Sequence, residues 1–233
     1  MARPSKKICN LLNIPYPDTP LIHSALDLAY THSTPAIYNH VVRSFLFSCI
    51  LGPQLLPPYD QEIASIAALL HDLGLNLSPS TTSSVPSIIS PDKRFEIDSA
   101  NAARAFLSRE APDWEHRKVQ LVWDACALHS TASIARHKEP EVVATSLGIS
   151  ADFAGPGEGK GKVSKAQWDV VVKEWPREGM LEGIKETLCE LCRRKPATTY
   201  DNWVGQYGEK YLGGEGYSLE KKRIIDFVEA SPL

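Results

Sequence analysis

His71 and Asp72 stand side by side at the end of the segment IASIAALLHDLG, where an apolar run stops abruptly at two ionisable groups. Burying such a pair is costly unless something compensates its charge, and a metal ion does so. Neighbouring residues on a helix project about 100° apart, so one ion takes both side chains only from the helix edge, with further ligands arriving from other helices. Two residues have the right character. His40 in IYNHVVRSFLF is a polar position opening a strongly apolar segment, and Asp152 in LGISADFAG is a lone carboxylate in an apolar stretch. Two imidazoles and two carboxylates form a mixed donor set that suits zinc, iron or manganese, and a set without thiolate is untypical of structural zinc. Open positions for water would make such a site catalytic. A single histidine on an apolar helix is more often a satisfied core residue; the ordered set His, His-Asp, Asp is what singles these out.

Helper groups follow from the same reading. His129 ends VQLVWDACALH and is followed by Ser130 and Thr131, a polar tip on an apolar element, which makes it the first candidate for proton transfer. Asp98 in FEIDSANAA is placed to orient a ligand imidazole or to handle the proton. Glu96 either belongs with it or simply supplies negative charge to the first turn of a helix, the blander role being the simpler. Arg43 lies three residues beyond His40, within reach of an anion, Asp72 or Asp152, or else in a surface salt bridge. His137 is a candidate ligand for a second ion, although Lys138, Glu139 and Pro140 around it favour a solvated loop.

The elements that must position these residues read as helices. Ile63, Ile66, Ala67 and Leu70 share one helical face, as do Val119, Val122, Trp123 and Cys126. Asp60, Pro112-Asp113 and the capping-box pattern Ser164-x-x-Gln167 supply start signals. The spacing predicts helices near 20–32, 37–51, 60–72, 96–109, 113–129, 140–149, 164–174, 178–194 and 217–229, an all-α bundle in a single domain of residues 1–233, with a core of about 20–195 and a C-terminal helical extension. Residues 75–94 are dense in Ser, Thr and Pro and read as a long loop. Gly155–Lys162, GPGEGKGK, is a second irregular stretch that fails the phosphate-loop pattern. Each loop adjoins a candidate ligand. Cys189-x-x-Cys192 falls within the helical pattern Leu181, Ile184, Leu188, Leu191 without a second ligand pair, so it reads as structural.

Composition narrows the function class. The chain has 233 residues, 43% hydrophobic and 23% charged, with a formal net charge of -3 and both signs interspersed. It lacks the basic stripe of a nucleic-acid binder and any uninterrupted apolar stretch of about 18 residues. Five cysteines at irregular positions, with no secretion signal at the N-terminus, point to reduced thiols. The expectation is a cytoplasmic protein, the nucleus not excluded, acting on a small molecule with neither nucleic-acid nor membrane partner, and with homo-oligomerisation open.

The order His40, His71-Asp72, Asp152 resembles the HD superfamily of metal-dependent enzymes. TPAIYNHVVRSFLF, AALLHDLGL, RFEIDSANAARAFL, VWDACALHST and PEVVATSLGISADFAG, with KPATTYDNWVGQYG beyond them, are similar to the cyanamide hydratase-like HD proteins of fungi. The resemblance implies an all-α HD-domain helical bundle with its four ligands on separate helices and a bound divalent metal, zinc first, with Fe2+ and Mn2+ as alternatives. It further implies hydration of a small nitrile-like molecule, cyanamide plus water giving urea, through a water activated by that metal. The rival reading is an HD-type phosphohydrolase or nucleotidase on a phosphate ester, with Lys93-Arg94 and Lys160/Lys162 as phosphate clamps. Leu73-Gly74-Leu75-Asn76-Leu77, directly after the HD pair, lacks the charged residue such enzymes carry there. A non-catalytic metal-binding HD module is the third.

Overall fold

From Ile37 to Gly52 every residue except Asn39 is buried. A helix apolar on all sides belongs at the centre of its fold, and this one, α2 (Pro35–Leu55), does. It starts where Thr34 accepts a hydrogen bond from the Ile37 amide and Pro35 occupies the first turn, both good helix openers. The computed structural model describes residue 14, residues 16–77 and residues 88–232. Among these the chain is all-α, with eleven α-helices, three short 3-10 turns and no strand.

Before α2 comes α1 (Pro20–His32), and after it α3 (Gln61–Leu70), capped by Asp60, whose carboxylate accepts from the amides of Glu62 and Ile63. A 3-10 turn, Leu73–Leu75, leads away from α3, followed by α4 (Phe95–Glu110), α5 (His116–Leu128) and the one-turn α6 (Ala132–Ala135). The long α7 (Pro140–Ala154) packs lengthwise against α2. Gly148 makes that contact possible: a Cβ there would sit 2.2 Å from the Ser44 carbonyl oxygen of α2. Gly74 does the same between the 3-10 turn and α4, where a Cβ would meet the Phe95 carbonyl at 2.1 Å. α3 lies inside, touching α1, α2, α5 and α7.

The remaining helices are α8 (Lys165–Glu174), α9 (Met180–Arg194), α10 (Val204–Leu212) and α11 (Ile224–Glu229). The Ser164 capping box is present, the Ser164 hydroxyl accepting from the Gln167 amide and the Gln167 side chain from the Ser164 amide. Cys189 and Cys192 are buried thiols on α9, and none of the four described cysteines is in a disulfide.

Three expectations need correction. The helix expected over 140–149 runs on to Ala154, ending only at Gly155 with φ +81°, so Asp152 is held on a rigid helix. The segment expected as one helix over 217–229 is helical only at Ile224–Glu229, while α10, whose apolar spacing is interrupted by two glycines, was not foreseen. Of the long loop, residues 78–87 lie outside the described residues. Ser90 and Lys93 are tied down by Asp98 and Lys195. Among the described residues no helix is long and apolar enough to cross a membrane.

Candidate metal centre

The C-terminal ends of α3, α5 and α7 meet the N-terminal end of α2 at one end of the bundle. Helix C-termini carry partial negative charge and favour a cation nearby. His71 follows the last residue of α3, His129 the last residue of α5, and His40 is in the second turn of α2.

All three rings are held by Nδ1. His71 Nδ1 donates to the Ala68 carbonyl at 2.9 Å and His129 Nδ1 to the Cys126 carbonyl at 2.7 Å, each reaching back along its own helix. His40 Nδ1 donates to Asp152 Oδ2 at 2.7 Å, across to α7. Each acceptor is an oxygen, so in a neutral ring the proton sits on Nδ1 and Nε2 is a bare lone pair. These lone pairs converge. His40 Nε2 and His71 Nε2 are 3.3 Å apart, and Asp72 Oδ2 lies 3.3 Å from His71 Nε2 and 3.7 Å from His40 Nε2. Two lone pairs and a carboxylate facing one another, buried, repel unless a positive charge stands between them.

A divalent ion fits that description. Tetrahedral zinc with ligand bonds of about 2.0–2.1 Å has donor-to-donor edges of roughly 3.3 Å, close to the triangle measured here. The buried trio His40, His71 and Asp72 is the group of the described residues whose donor atoms gather closely enough to hold one ion. Burial alone would raise the Asp72 carboxyl, but its interactions with the imidazoles of His71, His129 and His40 hold it well below the usual carboxylate range. Burial, with the neighbouring His71, pushes His129 down to about 4. His129 is therefore neutral at pH 7, and the compensating charge must come from elsewhere. Three protein donors with room for water is the pattern of a catalytic rather than a structural ion.

The fourth expected ligand is placed differently. Both oxygens of Asp152 are engaged: Arg43 Nε donates to Oδ1 at 2.7 Å, and Arg43 Nη2 and His40 Nδ1 donate to Oδ2 at 2.8 and 2.7 Å. Against its burial, these donors bring the carboxyl down to about 2. Asp152 thus stands behind His40, orienting the ring and strengthening it as a donor, and Arg43 is its buried partner, not a surface salt bridge.

His129 faces the other side of the cluster, its Nε2 3.5 Å from Asp72 Oδ1 and its ring 4.7 Å from that of His71. Next to it Ser130 donates to Glu96 Oε1 at 2.5 Å. Glu96 is buried and also paired with Arg94, which holds it below its ordinary value against burial, so it is more than a first-turn charge. Asp98 is elsewhere. It is locked in a buried ion pair with Lys195 at 2.6 Å and accepts from the Ser90 hydroxyl and amide, which corrects the expectation that it orients a ligand or moves a proton. His137 is exposed on the turn after α6, away from the cluster.

A cavity of about 670 Å³ opens onto the donors. Phe95 and Phe153 line it. Two other aromatic residues do not: Trp123 donates to Asn101 and stacks with Arg104, and Tyr38 is buried in the core. Sequence reasoning missed Arg136, Ser150, Trp203 and Tyr207, all in the lining. The last two stand on and beside the unforeseen α10. The only sequence signal for them was the aromatic-rich segment YDNWVGQY.

An all-α bundle with a His/His-Asp cluster at one end defines a metal-centred helical domain. The HD domain model matches residues 37–158, more than half of the chain, and the chain belongs to the HD domain family. HD domains are typically metal-dependent hydrolases that bind divalent ions. No curated protein matches the chain.

Proposed function

We propose that this protein is a metal-dependent hydratase that adds water to the carbon of a nitrile-like group, as in the conversion of cyanamide to urea. The observation that carries the reading is the convergence of His40 Nε2, His71 Nε2 and Asp72 Oδ2 at the end of a mainly apolar cavity. A divalent ion, zinc first, supplies Lewis acidity there and lowers the pKa of water toward neutrality.

The chain's own residues do the rest. Asp152 and the Ala68 carbonyl fix the His40 and His71 rings so that both present Nε2. His129, kept neutral by burial, takes a proton from the attacking water at Nε2 and returns it to the nitrile nitrogen, while its Nδ1 stays tied to the Cys126 carbonyl. The apolar wall excludes bulk water, which protects the electrophile and strengthens the local field.

The phosphohydrolase reading has less support. Arg136 is the one lysine or arginine among the described residues lining the cavity. Lys93 pairs with Asp92 and Arg94 with Glu96, and neither they nor Lys160 and Lys162 reach the lining. A phosphate ester calls for several cations or metal clamps. Turnover of cyanamide to urea by the zinc-loaded protein, without phosphate release from nucleoside monophosphates, is the expected result. Phosphate release with no urea formed would overturn the proposal in favour of the phosphohydrolase. An ion bound stoichiometrically with neither activity would leave a binding module.

A further inference from the structure

A molecule of three heavy atoms, such as cyanamide, displaces two to three waters, on the order of 60–90 Å³ at ~30 Å³ each. The cavity over the donors measures about 670 Å³, within the ~300–1,000 Å³ range of pockets that enclose drug-sized ligands. Cyanamide would leave most of it filled with water, against the requirement to keep water out.

The lining has a direction. The reacting end is the buried His40, His71, Asp72 and His129. Above it the wall is apolar and drawn from four helices, with Phe95 from α4, Ile149 and Phe153 from α7, Ile184 and Leu188 from α9, and Tyr207 from α10. The Trp203 ring joins this wall, held edge-on by Phe95 and Tyr207, with its Nε1 buried away from the cavity space. One polar group at the rim is unspent. Arg136 is exposed, hydrogen-bonds Ser150 Oγ at 3.2 Å, and has no ion-pair partner among the described residues. Being exposed, it belongs to the solvent side of the cavity.

The geometry points to a substrate far larger than cyanamide: a nitrile on an aromatic or extended apolar body, with an anionic end for Arg136. This rests on the nitrile-hydration reading above. The reaction is balanced with water alone: its oxygen bonds to the nitrile carbon, the C–N π bonds give way to a carbonyl, and both protons finish on nitrogen as a primary amide.

The test uses the full chain loaded with zinc and three probes: 4-(cyanomethyl)phenoxyacetate, which has every feature; 4-methoxyphenylacetonitrile, which lacks the anion; and cyanamide. Amide formation is followed alongside the indole N–H signals of the five tryptophans, with Trp203→Phe identifying the Trp203 signal. The phenoxyacetate should move that signal and show a KM at least about tenfold below that of the methoxy compound, as a charge-assisted contact to arginine allows. Arg136→Gln should narrow the gap between the two aromatic probes. Hydration of cyanamide with no binding of either aromatic probe overturns this inference and leaves nitrile hydration standing. Binding of the phenoxyacetate with a shifted Trp203 signal, but no hydration of any probe, supports the cavity assignment and removes the proposed reaction.

Discussion

Replacing Asp152 by asparagine separates two roles for this residue, metal ligand or support behind His40. The change keeps shape but removes the charge opposite Arg43 and turns an acceptor-only group into one with an NH2 that must face a donor, either of Arg43 or of His40. Arg43 and Asp152 are fully buried, and breaking one side of such a pair costs about 3–5 kcal/mol. For metal-free protein in urea, with a slope of about 3 kcal/mol/M, the midpoint should fall by about 1–1.7 M. Part of this loss depends on pH. The Asp152 carboxyl lies at about 2 in the fold against an ordinary 3.8, which contributes about 2–3 kcal/mol at roughly 1.4 kcal/mol per unit. Because the folded value is depressed, that contribution is present above pH ~4 and is lost as the pH falls through about 2. The gap between wild type and variant should therefore narrow over that window. Zinc affinity, measured by chelator competition, should fall by about ten- to a hundredfold, the usual cost of removing the partner of a ligand imidazole. Unchanged metal-free stability together with a far larger loss of affinity would refute this reasoning and make Asp152 a direct ligand.

Alanine at His40, His71 or Asp72 should each reduce bound zinc well below one per chain by elemental analysis; full occupancy in the Asp72 variant would rule out the trio as the ion site. Asp98→Asn should destabilise the metal-free protein by a few kcal/mol through the stranded Lys195, with zinc occupancy and kcat within a few fold of wild type, and a loss of kcat by orders of magnitude in a well-folded variant would return Asp98 to the chemistry. Gly148→Ala gains about 1 kcal/mol of helix propensity but forces a Cβ to 2.2 Å from the Ser44 carbonyl. The clash should win by about 1–3 kcal/mol and lower the melting temperature, whereas a rise would show that α2 and α7 can part freely.

The helical bundle was legible because its signals are local. Thr34-Pro35, Asp60 and Ser164-x-x-Gln167 cap helices where their side chains meet nearby amides, and the apolar spacing of α3 and α5 survives into the packed faces. The HD pair and His40 were legible because ionisable groups in apolar runs demand an explanation. Asp152 carried the same signal but served a different end. Nothing local distinguishes a carboxylate facing an ion from one facing an arginine on another helix. Asp98 was misread for the same reason, its partner Lys195 being 97 residues away. The cavity wall was the least legible part. Trp203 and Tyr207 come from a segment whose glycines break the helical pattern, and their place over the donors is fixed only by how α10 packs on α9.

The three tethers that aim the imidazoles differ in how far they reach along the chain. Those of His71 and His129 span three residues each and form as soon as α3 and α5 do, whereas the tether of His40 spans 112 residues. Contacts of the first kind arise early and those of the second only after distant segments have met. Two of the rings are thus aimed while the chain is still assembling, and the third locks only when α7 has docked along α2. An ion gripped by His40 and His71 together would therefore report that α7 has docked and the bundle is complete.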